Sequence, residues 1–119
     1  MKIGIISDIH GNYDALFSVL EKAKKESVDH LLILGDIVGY YYHPDKILNL
    51  LSHWSFDMIK GNHEQILEDL IKNSSLSEPI RLKYGSGHQE AINKLSKKKL
   101  NFLFDLPETK AIKIDGIKL

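Results

Sequence analysis

The sequence has 119 residues, enough for one domain, and its 43% hydrophobic content excludes a disordered chain. Sixteen basic and sixteen acidic residues cancel, which leaves no field to steer duplex nucleic acid or an anionic membrane. Cysteine is absent, which excludes disulfides and thiolate metal sites, and no apolar run approaches the roughly 18 residues of a membrane span. With no basic-then-apolar leader ahead of the first strand, a cytoplasmic protein is expected.

The first apolar run, Ile3-Gly4-Ile5-Ile6, reads as a buried strand, because branched apolar side chains fit a pleated surface packed on both faces. It leads into Ser7-Asp8-Ile9-His10-Gly11-Asn12. Residues two apart on a strand share a side. If extended geometry persists past Ser7, Asp8 and His10 leave the strand together. Leu16, Val19, Leu20 and Ala23 then recur at helical spacing, with Asn12 or Asp14 available as a cap.

A second strand is expected over His30-Leu31-Leu32-Ile33-Leu34, closed by Gly35-Asp36. After a loop from Gly39 to His43, Pro44 fits the first turn of a helix that carries Ile47, Leu48, Leu51 and Trp54 on one face. A third strand, Phe56 to Lys60, ends at Gly61-Asn62-His63-Glu64, and a third helix carries Ile66, Leu67, Leu70 and Ile71. The order β-α-β-α-β-α predicts an α/β fold with a parallel sheet and right-handed crossovers. Asn73 to Glu78 reads as a polar loop. Gly85 to Leu95 and Ser96 to Phe104 read as short helices, and Lys110 to Leu119 as a hairpin turning at Asp115-Gly116. The expected organisation is therefore a core at 1–72, a helical and loop insertion at 73–109, and a hairpin at 110–119. The last strand stops in mid-alternation, as in the front part of a longer chain.

Each of the three strands ends in a polar group suited to a metal: Asp8 with His10, then Asp36, then Asn62 with His63. Ligands of open parallel sheets bind beyond the carboxyl ends of the strands, so one crevice should collect all three. Carboxylate, imidazole and amide donors suit Mn, Fe, Zn or Ni, with Mg less favoured because of the imidazole. A dinucleotide-binding reading is weak, since Gly4 belongs to no Gly-x-Gly-x-x-Gly run. Among the remaining histidines, His30 reads as a surface residue, His43 as a loop or cap residue and His53 as a helix-end residue. His88, in Gly85-Ser86-Gly87-His88, is the outsider that would have to reach over the site to act as a substitute ligand. Tyr40-Tyr41-Tyr42 is either loop packing or a stacking surface for a nucleobase, and Lys97-Lys98-Lys99 a solvated helix face.

Asp8-Ile9-His10, Gly35-Asp36 and Gly61-Asn62-His63-Glu64 together resemble the calcineurin-like metallophosphoesterase family, in its order and spacing, and Ser7–Asn12 and Gly35–Tyr40 resemble its bacterial cytoplasmic phosphodiesterase or phosphatase branch. The resemblance covers residues 1–72 and, more faintly, the hairpin. It implies the first half of a four-layer α-β-β-α sandwich, with the hairpin starting a second sheet. It further implies two divalent cations, with Asp8 and His10 on the first, Asp36 bridging, Asn62 on the second, and His63 near the leaving-group oxygen as acid or electrostatic stabiliser. A hydroxide held between the cations would attack a phosphomonoester or phosphodiester, a nucleotide among the candidates. Two departures stand out. Glu64 occupies a position that is usually Asp, and the family's three further histidines, from a His-Gly and a Gly-His-x-His segment, are not in this sequence. The second cation would then have only Asp36 and Asn62. A sheet face built from the neighbours of Ile3, Ile5, Leu31 and Ile33 would lack its covering layer, favouring self-association or a missing C-terminal half. A catalytically inactive remnant that binds metal or a partner is the alternative.

Overall fold

A computed structural model describes all residues, Met1–Leu119. Strands β1 (Ile3–Ile6), β2 (His30–Ile33) and β3 (Phe56–Met58) form a parallel sheet in the order β1-β2-β3. Helices α1 (Tyr13–Lys25), α2 (Pro44–Leu51) and α3 (Asn62–Lys72) follow the three strands in turn. Neighbouring strands in sequence are neighbours in the sheet. Crossovers of one hand, all stepping in one direction, put their helices on one side of such a sheet. α1 and α2 pack against each other accordingly.

The register makes the two faces unlike. Leu31 pairs with Gly4 and Phe56, and Ile33 with Ile6 and Met58. This face packs under the helices, where Leu31, Ile33 and Met58 meet Leu16, Leu20, Ile47, Leu51 and Leu67 in one core. Ile5 pairs with Leu32 and looks the other way, where Ile5 and Leu34 are 68% and 46% exposed. The expected uncovered face is thus present, but its membership is corrected. Leu31 and Ile33 belong to the covered side, because the register couples Ile5 to Leu32 rather than to either of them.

The local signals behind the helices are visible. Asn12 caps α1, its Oδ1 accepting from the Ala15 N–H at 3.2 Å, and Lys22, Lys24 and Lys25 sit in the last turn, where the helix dipole favours cations. Pro44 opens α2, where its missing N–H leaves no bond unmade. Trp54 lies beyond the end of α2 but packs on the core.

The segment expected to be a loop over 73–78 is instead a 3₁₀ turn, Ser74–Leu76, running into helix α4 (Ser77–Tyr84). Pro79 stands within the first turn of that helix, where proline is tolerated. α4 has no buried residue and therefore no apolar stripe to read. Helices α5 (Gly87–Lys94) and α6 (Lys97–Phe104) are the two expected short helices. The hairpin forms from β4 (Lys113–Ile114) and β5 (Ile117–Lys118), its turn held by positive φ at Asp115 (50°) and Gly116 (81°). Ile112, Leu119 and Lys110 line a groove with Leu32, Leu34 and Ile59, so the hairpin lies along part of the uncovered face. Lys110 bonds to Asp57 on that face, and His30 donates to or accepts from Ser55 and Asp57, each at 2.8 Å. No helix is long and apolar enough to cross a membrane.

Candidate metal centre

The loops after β1 and β2 are stitched to each other. The His10 N–H donates to the Asp36 carbonyl at 2.8 Å, and the Gly11 N–H to the Ile37 carbonyl at 2.6 Å. Asp8, His10 and Asp36 thereby come together, with one donor atom of each lying within 4.8 Å of the others. The route is not the expected one. β1 ends at Ile6, and Asp8, His10 and Asp36 all take left-handed backbone, with φ of 56°, 50° and 59°. Convergence comes from these sharp turns rather than from strand alternation. Non-glycine residues rarely adopt this region, and such positions cluster at functional sites.

The donor set suits a divalent cation. His10 Nδ1 lies 2.9 Å from the Val38 carbonyl, so Nδ1 carries the proton and Nε2 keeps its lone pair. That Nε2 stands 3.4 Å from Asp8 Oδ1. Asp8 is mostly exposed, and the Ser7 hydroxyl beside it holds its carboxyl below the usual range. Asp36 Oδ1 accepts from the His63 N–H at 2.9 Å. Asn62, the first residue of α3, turns its amide to Asp36. With the nitrogen inward it lies 3.1 and 3.2 Å from the two carboxylate oxygens, and the amide oxygen is then left for another partner. Asn62 does not cap α3; Gly61 holds that position.

His63 is buried beside this cluster, its ring edge-on to His10 with centroids 4.7 Å apart. Burial pushes the His63 imidazole below its ordinary range, and His10 pushes the same way, while Asp36 and Asp8 pull it back. All five residues singled out in the sequence therefore meet at the sheet's carboxyl edge. His30, His43 and His53 do not join them.

Two residues that the sequence left aside are part of the scaffold. Glu64 is fully buried and accepts from four backbone N–H groups: Asp36 (2.7 Å), Ile37 (2.9 Å), Val38 (3.3 Å) and Gly61 (2.9 Å). Burial pushes its carboxyl up, against the N–H groups that pull it down. His88 is fully buried with its Nε2 at 3.1 Å from His63 Nδ1. It stands behind His63 rather than among the ligand atoms. Gly87, whose Cβ would strike the Tyr40 backbone nitrogen, is the sequence signal that could have placed it.

Gly61 is required for a different reason. Its φ is ordinary, but an added Cβ would collide with the Asp36 nitrogen and Oδ1. Gly61→Ala is expected to lower stability by about 1–3 kcal/mol and to weaken divalent-cation binding at least tenfold, because the carboxylate must move. Denaturant melts and Mn²⁺ titration of the variant check both halves; an unchanged affinity would refute the close approach.

Acid sensitivity follows from His88, whose pKa burial lowers to about 4, with His63 and His10 acting in the same direction. The folded imidazole stays neutral while the unfolded one binds a proton near 6.5. Stability is then present above pH 6.5 and lost as pH falls toward 4, by up to about 3 kcal/mol. Urea midpoints of the metal-free protein at pH 7 and pH 4.5 measure it. Equal midpoints would contradict a neutral buried imidazole.

The sequence matches the calcineurin-like phosphoesterase family over residues 1–116. It is similar to the uncharacterized protein MJ0912 of Methanocaldococcus jannaschii, with 39% identity over 62 residues, 52% of this chain and 26% of that protein. The fold is similar to a metallophosphoesterase of known crystal structure from Sphaerobacter thermophilus, with a TM-score of 0.68 and 33% identity. That match covers 90% of this chain and 41% of the other. The matched segments therefore cover less than half of each relative.

Proposed function

Because this chain belongs to the calcineurin-like phosphoesterase family, a metal-dependent family, we propose that it carries the metal-binding half of a centre that hydrolyses phosphomonoesters or phosphodiesters. The observation that carries the reading is the convergence of Asp8, His10 and Asp36, whose ligand atoms lie within 4.8 Å of one another. Asp8 and His10 would hold a first cation, Asp36 would reach both, and Asn62 would serve a second. Such a pair supplies a nucleophile at neutral pH and offsets charge on the phosphoryl oxygens. Mn, Fe, Zn or Ni fits the mixed oxygen and nitrogen donors better than Mg.

The chain's own groups orient the rest. Val38 fixes the His10 ring, leaving Nε2 for the cation. Asp36 is fixed by the His63 N–H, and Glu64 fixes the turn that carries Asp36. His63 presents its imidazole to the leaving-group oxygen. Tyr40, half-exposed with its ring edge-on to His10 at 4.9 Å, supports a nucleotide or other aromatic ester as substrate.

The competing reading is a chain that binds one cation and turns nothing over. The second cation's small donor set, Asp36 and Asn62, favours it. Hydrolysis of an aryl phosphate with added Mn²⁺, in this chain and in Asn62→Ala, separates the two. Metal-dependent activity lost in Asn62→Ala supports the enzyme. A single weak cation equivalent without turnover supports the alternative.

A further inference from the structure

His63 and His88 form a buried imidazole pair that metal binding does not use. Their rings lie nearly parallel, at 12° with centroids 5.2 Å apart, and Tyr84 closes on both from the edge at 5.0 and 5.7 Å. The pairing is built by two glycines. A Cβ on Gly39, at φ 91°, would stand 2.6 Å from His63 Nδ1 and 3.2 Å from His88 Nε2. Gly87 lets the start of α5 press on the Gly39–Tyr40 backbone, which brings His88 up behind His63.

One proton must sit between His63 Nδ1 and His88 Nε2, 3.1 Å apart. The other nitrogen of His88, Nδ1, is buried with no partner. If His63 were the donor, neutral His88 would carry its proton on Nδ1, leaving a buried N–H without an acceptor. A buried donor left without an acceptor costs about 1–3 kcal/mol, and among buried backbone groups orphaned N–H donors are rarer than under-satisfied acceptors. If His88 is the donor, the orphan is a bare ring nitrogen and no N–H is stranded.

We propose that His88 is a positioning residue: its Nε2–H donates to His63 Nδ1 and holds His63 in the tautomer that carries its proton on Nε2. In that form His63 offers a hydrogen bond from Nε2 to a leaving-group or phosphoryl oxygen. The role in hydrolysis rests on the phosphoesterase reading above, whereas the tautomer does not.

The test is long-range ¹H–¹⁵N correlation spectroscopy of the imidazoles in the full chain, metal-free and at neutral pH. His63 is expected to show a single tautomer protonated at Nε2. His88→Phe, which fills the space without a donor, should lose that single pattern and give signals averaged between tautomers. His88→Gln, which keeps an N–H donor, should restore it. A proton on Nδ1 of His63 in the unaltered chain overturns the proposal, as does an unchanged pattern in His88→Phe. Should His88→Phe fail to fold, the unaltered chain and His88→Gln still decide. If the tautomer is as stated and no phosphate ester is cleaved with Mn²⁺, the positioning stands and the functional reading falls. If hydrolysis is observed, His88→Phe should lower kcat about tenfold or more with little change in KM.

Discussion

Glu64→Ala is expected to destabilise the protein by on the order of 3–5 kcal/mol, a large share of the 5–15 kcal/mol typical of a domain. The buried carboxylate is the shared acceptor for the N–H groups of Asp36, Ile37, Val38 and Gly61. Alanine leaves those donors without a partner in a place from which water is excluded. It also releases two segments at once, the turn after β2 and the start of α3. Divalent-cation affinity should therefore fall along with the melting temperature, although Glu64 touches no cation in any reading of the site. Glu64→Gln, which keeps the shape but turns one N–H donor toward others, should lie between. Chemical denaturation of both variants is the measurement. A Glu64→Ala protein within about 1 kcal/mol of the original would mean that the four bonds hold nothing together.

Asp36→Asn is expected to separate folding from binding. The amide keeps an oxygen to accept the His63 N–H, so the local structure survives. It removes one of the two carboxylates that stand within 4.8 Å in the cluster. Without a cation those like charges repel, so the metal-free variant should be as stable as the original or slightly more so. With a cation the lost charge removes a main attraction, and Mn²⁺ affinity should drop about 100-fold or more, equivalent to ~3 kcal/mol. Any metal-dependent hydrolysis should disappear with it. Opposite signs in the two assays are the diagnostic result. A variant that binds Mn²⁺ as tightly as the original would remove Asp36 from the site.

Much of the fold and of the site is legible in the amino-acid sequence. Ile3–Ile6 and His30–Ile33 announce themselves as strands because their apolar residues are contiguous, and the polar groups that follow them mark the sheet's functional edge. The parts that escaped share one cause: they depend on backbone approaching backbone. The bonding of Glu64 is hidden in the sequence because three of its four partners lie 26 to 28 residues earlier in the chain. His88 looked isolated because its neighbour is reached only through the missing side chains of Gly39 and Gly87. Strand alternation predicts the pairing of Asp8 with His10, but left-handed turns beyond the end of β1 are what bring them together. α4 carries no such signal, because its eight residues bury nothing and no periodicity marks it.

The left-handed turn at Asp8 has a consequence for anyone who would make this protein hardier. Asp8 is 67% exposed at its side chain and sits at φ 56°, a conformation that glycine adopts freely. Putting glycine there would relax the backbone by about 1 kcal/mol while deleting a proposed cation ligand. A screen that rewards heat resistance alone would drift toward that exchange and select against the chemistry it meant to preserve.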